Sequence, residues 1–201
     1  MLVKTKIQNK DNKNRRSIRL PHYDYSHPGY CFVTVCVNNR ESLLGKIEDG
    51  RSRSRRGTAC CAPSQYGQIV YNEWINTGKL RNNVELDEFI VMPNHFHGIV
   101  IINESGTARR APTGFGKPVA RSLSAIMRSF KSAVTKRINE SRKMPGAQFW
   151  QRNYYEHVIR DDNDLINIRE YIVNNPARWQ EDEYYIAPSR SHYIANIVGV
   201  V

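Results

Sequence analysis

A chain of 201 residues with 40% hydrophobic and 24% charged positions is long enough for one buried core, and its ordinary composition excludes a disordered protein. Thirty Lys and Arg against nineteen Asp and Glu leave a net charge of +11 and a pI near 9.7, a balance that favours a polyanion such as nucleic acid through phosphate contacts and counterion release. Cys31, Cys36, Cys60 and Cys61 form no C-x-x-C pair, which argues against a zinc ribbon or a disulfide framework, and no apolar run approaches the roughly 20 residues of a membrane span, so a cytoplasmic protein is expected.

Residues 1 to 20 carry Lys4, Lys6, Lys10, Lys13, Arg15, Arg16 and Arg19 against Asp11, without apolar periodicity, and read as a mobile basic arm before a single domain at 21–201. YCFVTVCV at 30–37 is β-branched and aromatic, the mark of a buried strand. The Ser/Arg-rich stretch near 50–64 has no period and reads as a surface insertion. Ile69, Trp74 and Ile75 then recur at helical spacing over 64–80, with Gly78 suited to the helix end.

Val84 to Met92 and His95 to Ile102 are strand-like runs divided by Pro93-Asn94, which predicts an antiparallel hairpin. A second insertion is expected near 103–118. From 119 to 138, Leu123, Ile126, Met127, Phe130, Val134 and Ile138 form an amphipathic helical stripe, with Arg128 and Lys131 on or beside its solvated side. FWQRNYYEHVIR reads as a further strand. Asp161 to Asp164 start a last helix, which stops before Pro176. The order strand, helix, hairpin, helix, strand, helix predicts an α+β fold, a ferredoxin-like antiparallel sheet with packed helices.

His95-Phe96-His97 lies within the second strand of the hairpin, where period two sends both imidazoles to one face and Phe96 to the other. A single strand histidine is ordinarily a satisfied polar residue, but two at this spacing in an apolar run can hold one metal ion. Tyr171 and Asn175 lie four apart on the last helix, so a phenol and an amide oxygen share a face. Taken alone they read equally as a half-buried tyrosine and a helix stop. Trp74, Trp150 and Trp179 are expected in the core rather than stacked on bases. His157 and Glu156 are expected to be structural or substrate-orienting.

VMPNHFHGIV followed by REYIVNNPARW resembles the single-tyrosine HUH transposases, and among them the REP-associated tyrosine transposases; RRSIRLPHYDYSHPGYCFVTV and FWQRNYYEHVIRDDNDL extend the likeness over most of residues 15 to 179. The resemblance implies that His95 and His97 bind a divalent metal, Mg²⁺ or Mn²⁺, that Tyr171 is the catalytic nucleophile, and that Asn175 matches the third, amide ligand. It implies cleavage and strand transfer of single-stranded DNA at hairpin or palindromic repeat sites through a 5′-phosphotyrosine, by a protein that works as a monomer, with a dimer as the alternative. Arg15, Arg16, Arg19, Arg128 and Lys131 are the expected phosphate contacts. Two other classes stay open: a metal-dependent phosphodiesterase without covalent intermediate, and a non-catalytic nucleic-acid binding module.

The two irregular stretches share a pattern, Gly57-Thr58-Ala59-Cys60-Cys61-Ala62-Pro63 and Gly106-Thr107-Ala108-Arg109-Arg110-Ala111-Pro112. Small and basic residues in tolerant loops can match by chance. The codons GGC ACA GCA TGC TGT GCC and GGC ACG GCG CGC CGT GCC would each make a perfect inverted repeat, so both stretches are also readable as translated palindromic DNA inserted into surface loops.

Overall fold

The computed structural model describes residues 27–47, 61–104 and 122–187. In chain order these form β1 (Gly29–Cys36), β2 (Gly45–Ile47), β3 (Cys61–Pro63), α1 (Gln65–Lys79), β4 (Val84–Val91), β5 (His95–Ile102), α2 (Leu123–Ser141), β6 (Tyr155–Ile159) and α3 (Asp162–Asn174). β1 pairs antiparallel with β5 on one side and β6 on the other, and β4 continues beyond β5, giving the sheet order β4-β5-β1-β6. That order, with α1 and α2 as crossovers, is the ferredoxin-like α+β arrangement expected. β2 and β3 form a separate two-stranded ribbon, with Ile47 opposite Cys61.

β1 and β5 alternate strictly, whereas β4 shifts register between Leu86 and Phe89. Cys31, Val33, Val35, Phe96, Val100 and Val158 turn to the face covered by α1 and α2, where Trp74 packs on Phe96 at 4.6 Å and on Phe130 at 5.1 Å between ring centroids. Every apolar position of the predicted α2 stripe is buried. Ser64 caps α1 by accepting from Tyr66 N and Gly67 N, and Ser122 caps α2 by accepting from Ala125 N. Gly98, next to the second histidine, serves this core: a Cβ there would lie 2.8 Å from both Phe96 Cζ and Trp74 Cζ2.

The opposite face carries Phe32, Ile90, Met92, Ile99 and Ile159, against which α3 lays Ile172. Two ties hold α3 in place. Arg169 forks onto both carboxylate oxygens of Asp87 in β4, and His157 Nε2 of β6 lies 2.8 Å from Asp164 Oδ2 in the first turn. Asp161 caps the helix through Asp164 N at 2.9 Å. His157 thus has a positioning role for α3.

Several boundaries differ from expectation, each for a local reason. Residues 61–63, expected within the first insertion, pair with β2 and lead directly into the Ser64 cap. Gly78 lies in the last turn of α1, one residue before its end at Lys79; its missing side chain leaves room for Leu86, whose Cγ would stand 3.0 Å from a Cβ. The strand expected over 149–160 shortens to β6, because Phe149 and Trp150 turn into the core and only Trp150 bridges back to Val37. Residues 119–121, the arm at 1–20 and the larger parts of both insertions lie outside the described residues.

Candidate active site

β5 points His95 and His97 toward α3, and both are buried. Their Nε2 atoms face each other at 2.9 Å. Asn94 fixes the first imidazole: its Nδ2 donates to the carbonyls of Arg40 at 3.2 Å and Tyr184 at 2.8 Å, which turns Oδ1 toward His95 Nδ1 at 2.8 Å. An amide oxygen only accepts, so His95 Nδ1 carries the proton and its Nε2 presents a lone pair. His97 Nδ1 meets Thr34 Oγ1 at 2.8 Å, the residue opposite it in β1. Burial drives both groups toward the neutral form. The His95 pKa falls well below 6.5 through burial first and then through His97 and Arg40, and burial takes His97 down to about 3. Neutral imidazoles whose second nitrogens are held by a neighbour are the form that ligates metal.

α3 brings Tyr171 to the same place, with its hydroxyl 3.3 Å from His97 Nε2. Phe32 of β1 stacks on the His97 ring at 5.4 Å and meets Tyr171 edge-on at 6.1 Å, fixing the gap between strand and helix. Burial, then the charges of Asp182 and Glu183, push the Tyr171 pKa up, so the phenol is protonated at rest. Asn175 is buried at the end of α3; its Nδ2 donates to Asp182 Oδ2 at 2.7 Å, while its Oδ1 is buried without a hydrogen-bond partner among the described residues. The imidazole nitrogens of His95 and His97 and the unpaired carbonyl oxygen of Asn175 are ligand types that suit a divalent cation.

Asp182 joins the expected residues from beyond the helix. One ligand atom each of His95, His97 and Asp182 lie within 4.8 Å of one another, and this cluster could hold a metal ion. A cavity of about 370 Å³ opens over Phe32, His97, Tyr155, Tyr171 and Tyr184. A larger groove of about 810 Å³ lies along α2 and residues 145–152, lined by Lys131, Lys136, Lys143 and Arg152, away from the histidines.

Among the expected site residues, the structure therefore gathers His95, His97, Tyr171 and Asn175. Arg128 is exposed on α2, while Lys131 donates to the carbonyls of Gln151, Arg152 and Asn153 and so closes the turn before β6. Arg15, Arg16 and Arg19 lie outside the described residues. Trp74 and Trp150 are core, as expected, whereas Trp179 places its ring 5.8 Å from that of His95. Sequence reasoning missed Asn94, which looked like a turn residue, and Asp182 and Tyr184, which follow the helix stop in a stretch without period. Thr34 was accessible to it, since a hydroxyl on the face of a strand predicted to be buried needs a polar partner.

No family model matches the chain. The chain is 36% identical over 180 residues to an uncharacterized protein of Haemophilus influenzae, across 86% of this chain and 94% of that protein. A second Haemophilus influenzae protein, named "Putative REP-associated tyrosine transposase", is 31% identical over 90 residues, which are 44% of this chain and 47% of that protein. Among solved structures, that of a REP-associated tyrosine transposase bound to a REP hairpin matches with a TM-score of 0.52 at 19% identity, over 90% of this chain and 87% of that one, a likeness of fold.

Proposed function

We propose, since this chain belongs to one family with the uncharacterized Haemophilus influenzae protein and resembles the REP-associated tyrosine transposases in sequence and fold, that it cuts and rejoins single-stranded DNA with Tyr171 as nucleophile. The observation that carries the reading is the convergence of the Tyr171 hydroxyl on His97 Nε2 at 3.3 Å, beside the facing nitrogen of His95. A strand residue and a helix residue 74 positions apart in sequence meet there, at a cavity open to a substrate.

His95, His97 and the free oxygen of Asn175 are the groups that would hold the metal. A hard divalent cation such as Mg²⁺ or Mn²⁺ supplies Lewis acidity to the scissile phosphate and positive charge beside the phenol. Phe32 and the turns of α3 hold the Tyr171 side chain in place, and in-line attack would bring its oxygen to phosphorus opposite the leaving oxygen. The Tyr171 O–P bond forms as the P–O3′ bond breaks; the phenolic proton is released, and the departing 3′-oxygen takes one up. The phosphodiester energy is kept in the 5′-phosphotyrosine, so a 3′-hydroxyl can reverse the step on another strand without ATP. Tyr155, exposed at the mouth of the cavity, offers a ring to an unpaired base. Arg128, Arg15, Arg16 and Arg19 are assigned phosphate contacts, which add affinity without choosing sequence.

The substrate class follows the resemblance: hairpin DNA with unpaired bases at its foot, bound by a protein acting as a monomer. A labelled hairpin oligonucleotide incubated with the protein, with and without Mg²⁺, and run on a denaturing gel tests this. A slow, protein-linked band that needs Mg²⁺ is expected. Cut DNA without that band identifies a hydrolase, and binding without cutting identifies a binding module.

A further inference from the structure

We infer that Asp182 supplies an anionic ligand to the metal that His95 and His97 hold, with Asn175 and Asn94 as the residues that position it. The inference rests on the metal-dependent reading above and adds a charged member to a ligand set otherwise made of neutral groups. One oxygen of Asp182 and one nitrogen of each imidazole already lie within 4.8 Å of one another. Both carboxylate oxygens are oriented from outside: Oδ1 accepts from Tyr184 N at 2.6 Å, and Oδ2 accepts from Asn175 Nδ2 at 2.7 Å. A carboxylate has about four lone-pair sites, so these two bonds fix its plane and leave capacity to ligate.

The segment that carries Asp182 is fastened to the histidine strand. Asn94, whose Oδ1 sets the His95 tautomer, holds the carbonyl of Tyr184 with its Nδ2, so one side chain registers both the imidazole and the carboxylate segment. Arg40 donates to the Glu183 carbonyl at 3.1 Å and lays its guanidinium 5.2 Å from the centre of the Tyr184 ring. The facing imidazole nitrogens, 2.9 Å apart, and the Asp182 carboxylate are grouped so that one cation could take the place of the contact between the two rings. Asn175 then serves twice, turning its amide nitrogen to Asp182 while its buried oxygen stays unpaired.

The carboxylate lowers the net charge of a divalent site by one unit, and a site so charged binds its metal before any DNA phosphate arrives. Metal binding by the free protein is therefore the direct readout. The full chain, stripped with EDTA and dialysed, is titrated with MnCl₂ by calorimetry, with Asp182→Asn, Asp182→Ala and the double variant His95→Ala/His97→Ala alongside. Asp182→Asn keeps an oxygen for Tyr184 N, and thermal melting in EDTA confirms that each variant is folded. Wild type is expected to bind one Mn²⁺, both Asp182 variants to bind it at least about tenfold more weakly, and the double variant not at all. Asp182 variants that bind Mn²⁺ within twofold of wild type overturn the inference and reduce Asp182 to a turn cap, with the histidine site intact. Wild type that binds no Mn²⁺ alone yet cuts hairpin DNA only with Mn²⁺ also overturns it and spares the metal-dependent reading; the absence of both binding and metal-dependent cutting overturns both.

Discussion

On the helical face of the sheet, Phe96 and Val35 meet Trp74 and Phe130 in a dry core, whereas on the α3 face the same strands present Thr34, His95 and His97. Adjacent residues of β5 therefore serve opposite ends, one position filling space and the next offering lone pairs. Because the side-chain period is two, a slip of one residue in the β1–β5 register would put both imidazoles among the aromatics and Phe96 in the site. The apolar face thus specifies the geometry of the polar one. Gly98 shows how closely: directly after His97, it is kept small by Trp74 and Phe96.

Variants on the two faces should separate chemistry from stability. Tyr171→Phe is expected to abolish the protein–DNA adduct on a denaturing gel while leaving hairpin affinity near wild type and stability within about 1 kcal/mol, since only the nucleophilic oxygen is lost. An adduct that survived in the Phe variant would move the nucleophile, with Tyr155 the next phenol at the cavity. His95→Ala and His97→Ala should each remove cleavage more completely than Asn175→Ala, because imidazoles make the stronger metal bonds and water can partly replace a neutral amide oxygen. Cleavage assays at high Mn²⁺ decide it: an Asn175 variant deader than either histidine variant contradicts that ranking.

Across the sheet, Phe130→Ala should cost about 3–5 kcal/mol in urea unfolding, as a buried ring is lost from between Trp74, Phe96 and Trp150. A loss under about 1 kcal/mol would mean that α2 repacks and that this face is not the rigid one. Acid offers a gentler probe of the α3 face in metal-free protein. Both histidines have lowered folded-state pKa values, so below about 6.5 the unfolded chain takes up protons that the folded chain refuses, down to about 3 for His97. Their contribution to stability is thus complete above 6.5 and declines as the pH falls through that window. Melting in EDTA between pH 7.5 and 4.5 should show the decline, and His97→Gln should make it shallower; identical slopes in the two proteins would contradict neutral burial of His97.

Most of the fold was legible because its determinants are local and periodic. The alternation in β1 and β5 and the stripe from Leu123 to Ile138 each gave an element its type and buried face. The pair His95 and His97 was legible for the same reason, and Tyr171 with Asn175 followed from helical spacing plus the family likeness. What escaped depends on chain segments meeting in three dimensions. Nothing near Asp182 announces that Asn94, 90 residues before Tyr184, ties that segment to β5. Nor does the stripe around Lys131 reveal that its ammonium is taken by three carbonyls some 20 residues later. Burial lowers that lysine's pKa to about 8.

The pairing of Ile47 with Cys61 makes the end of the β2–β3 ribbon a port. The chain departs at Ile47 and returns at Cys61 at adjacent backbone positions, so a change in the length between them alters the entropy of closure by only about 0.6 kcal/mol per doubling. An epitope or a fluorophore-bearing sequence could replace residues 48–60 and report on the protein while the strands, α3 and the paired imidazoles fold as before.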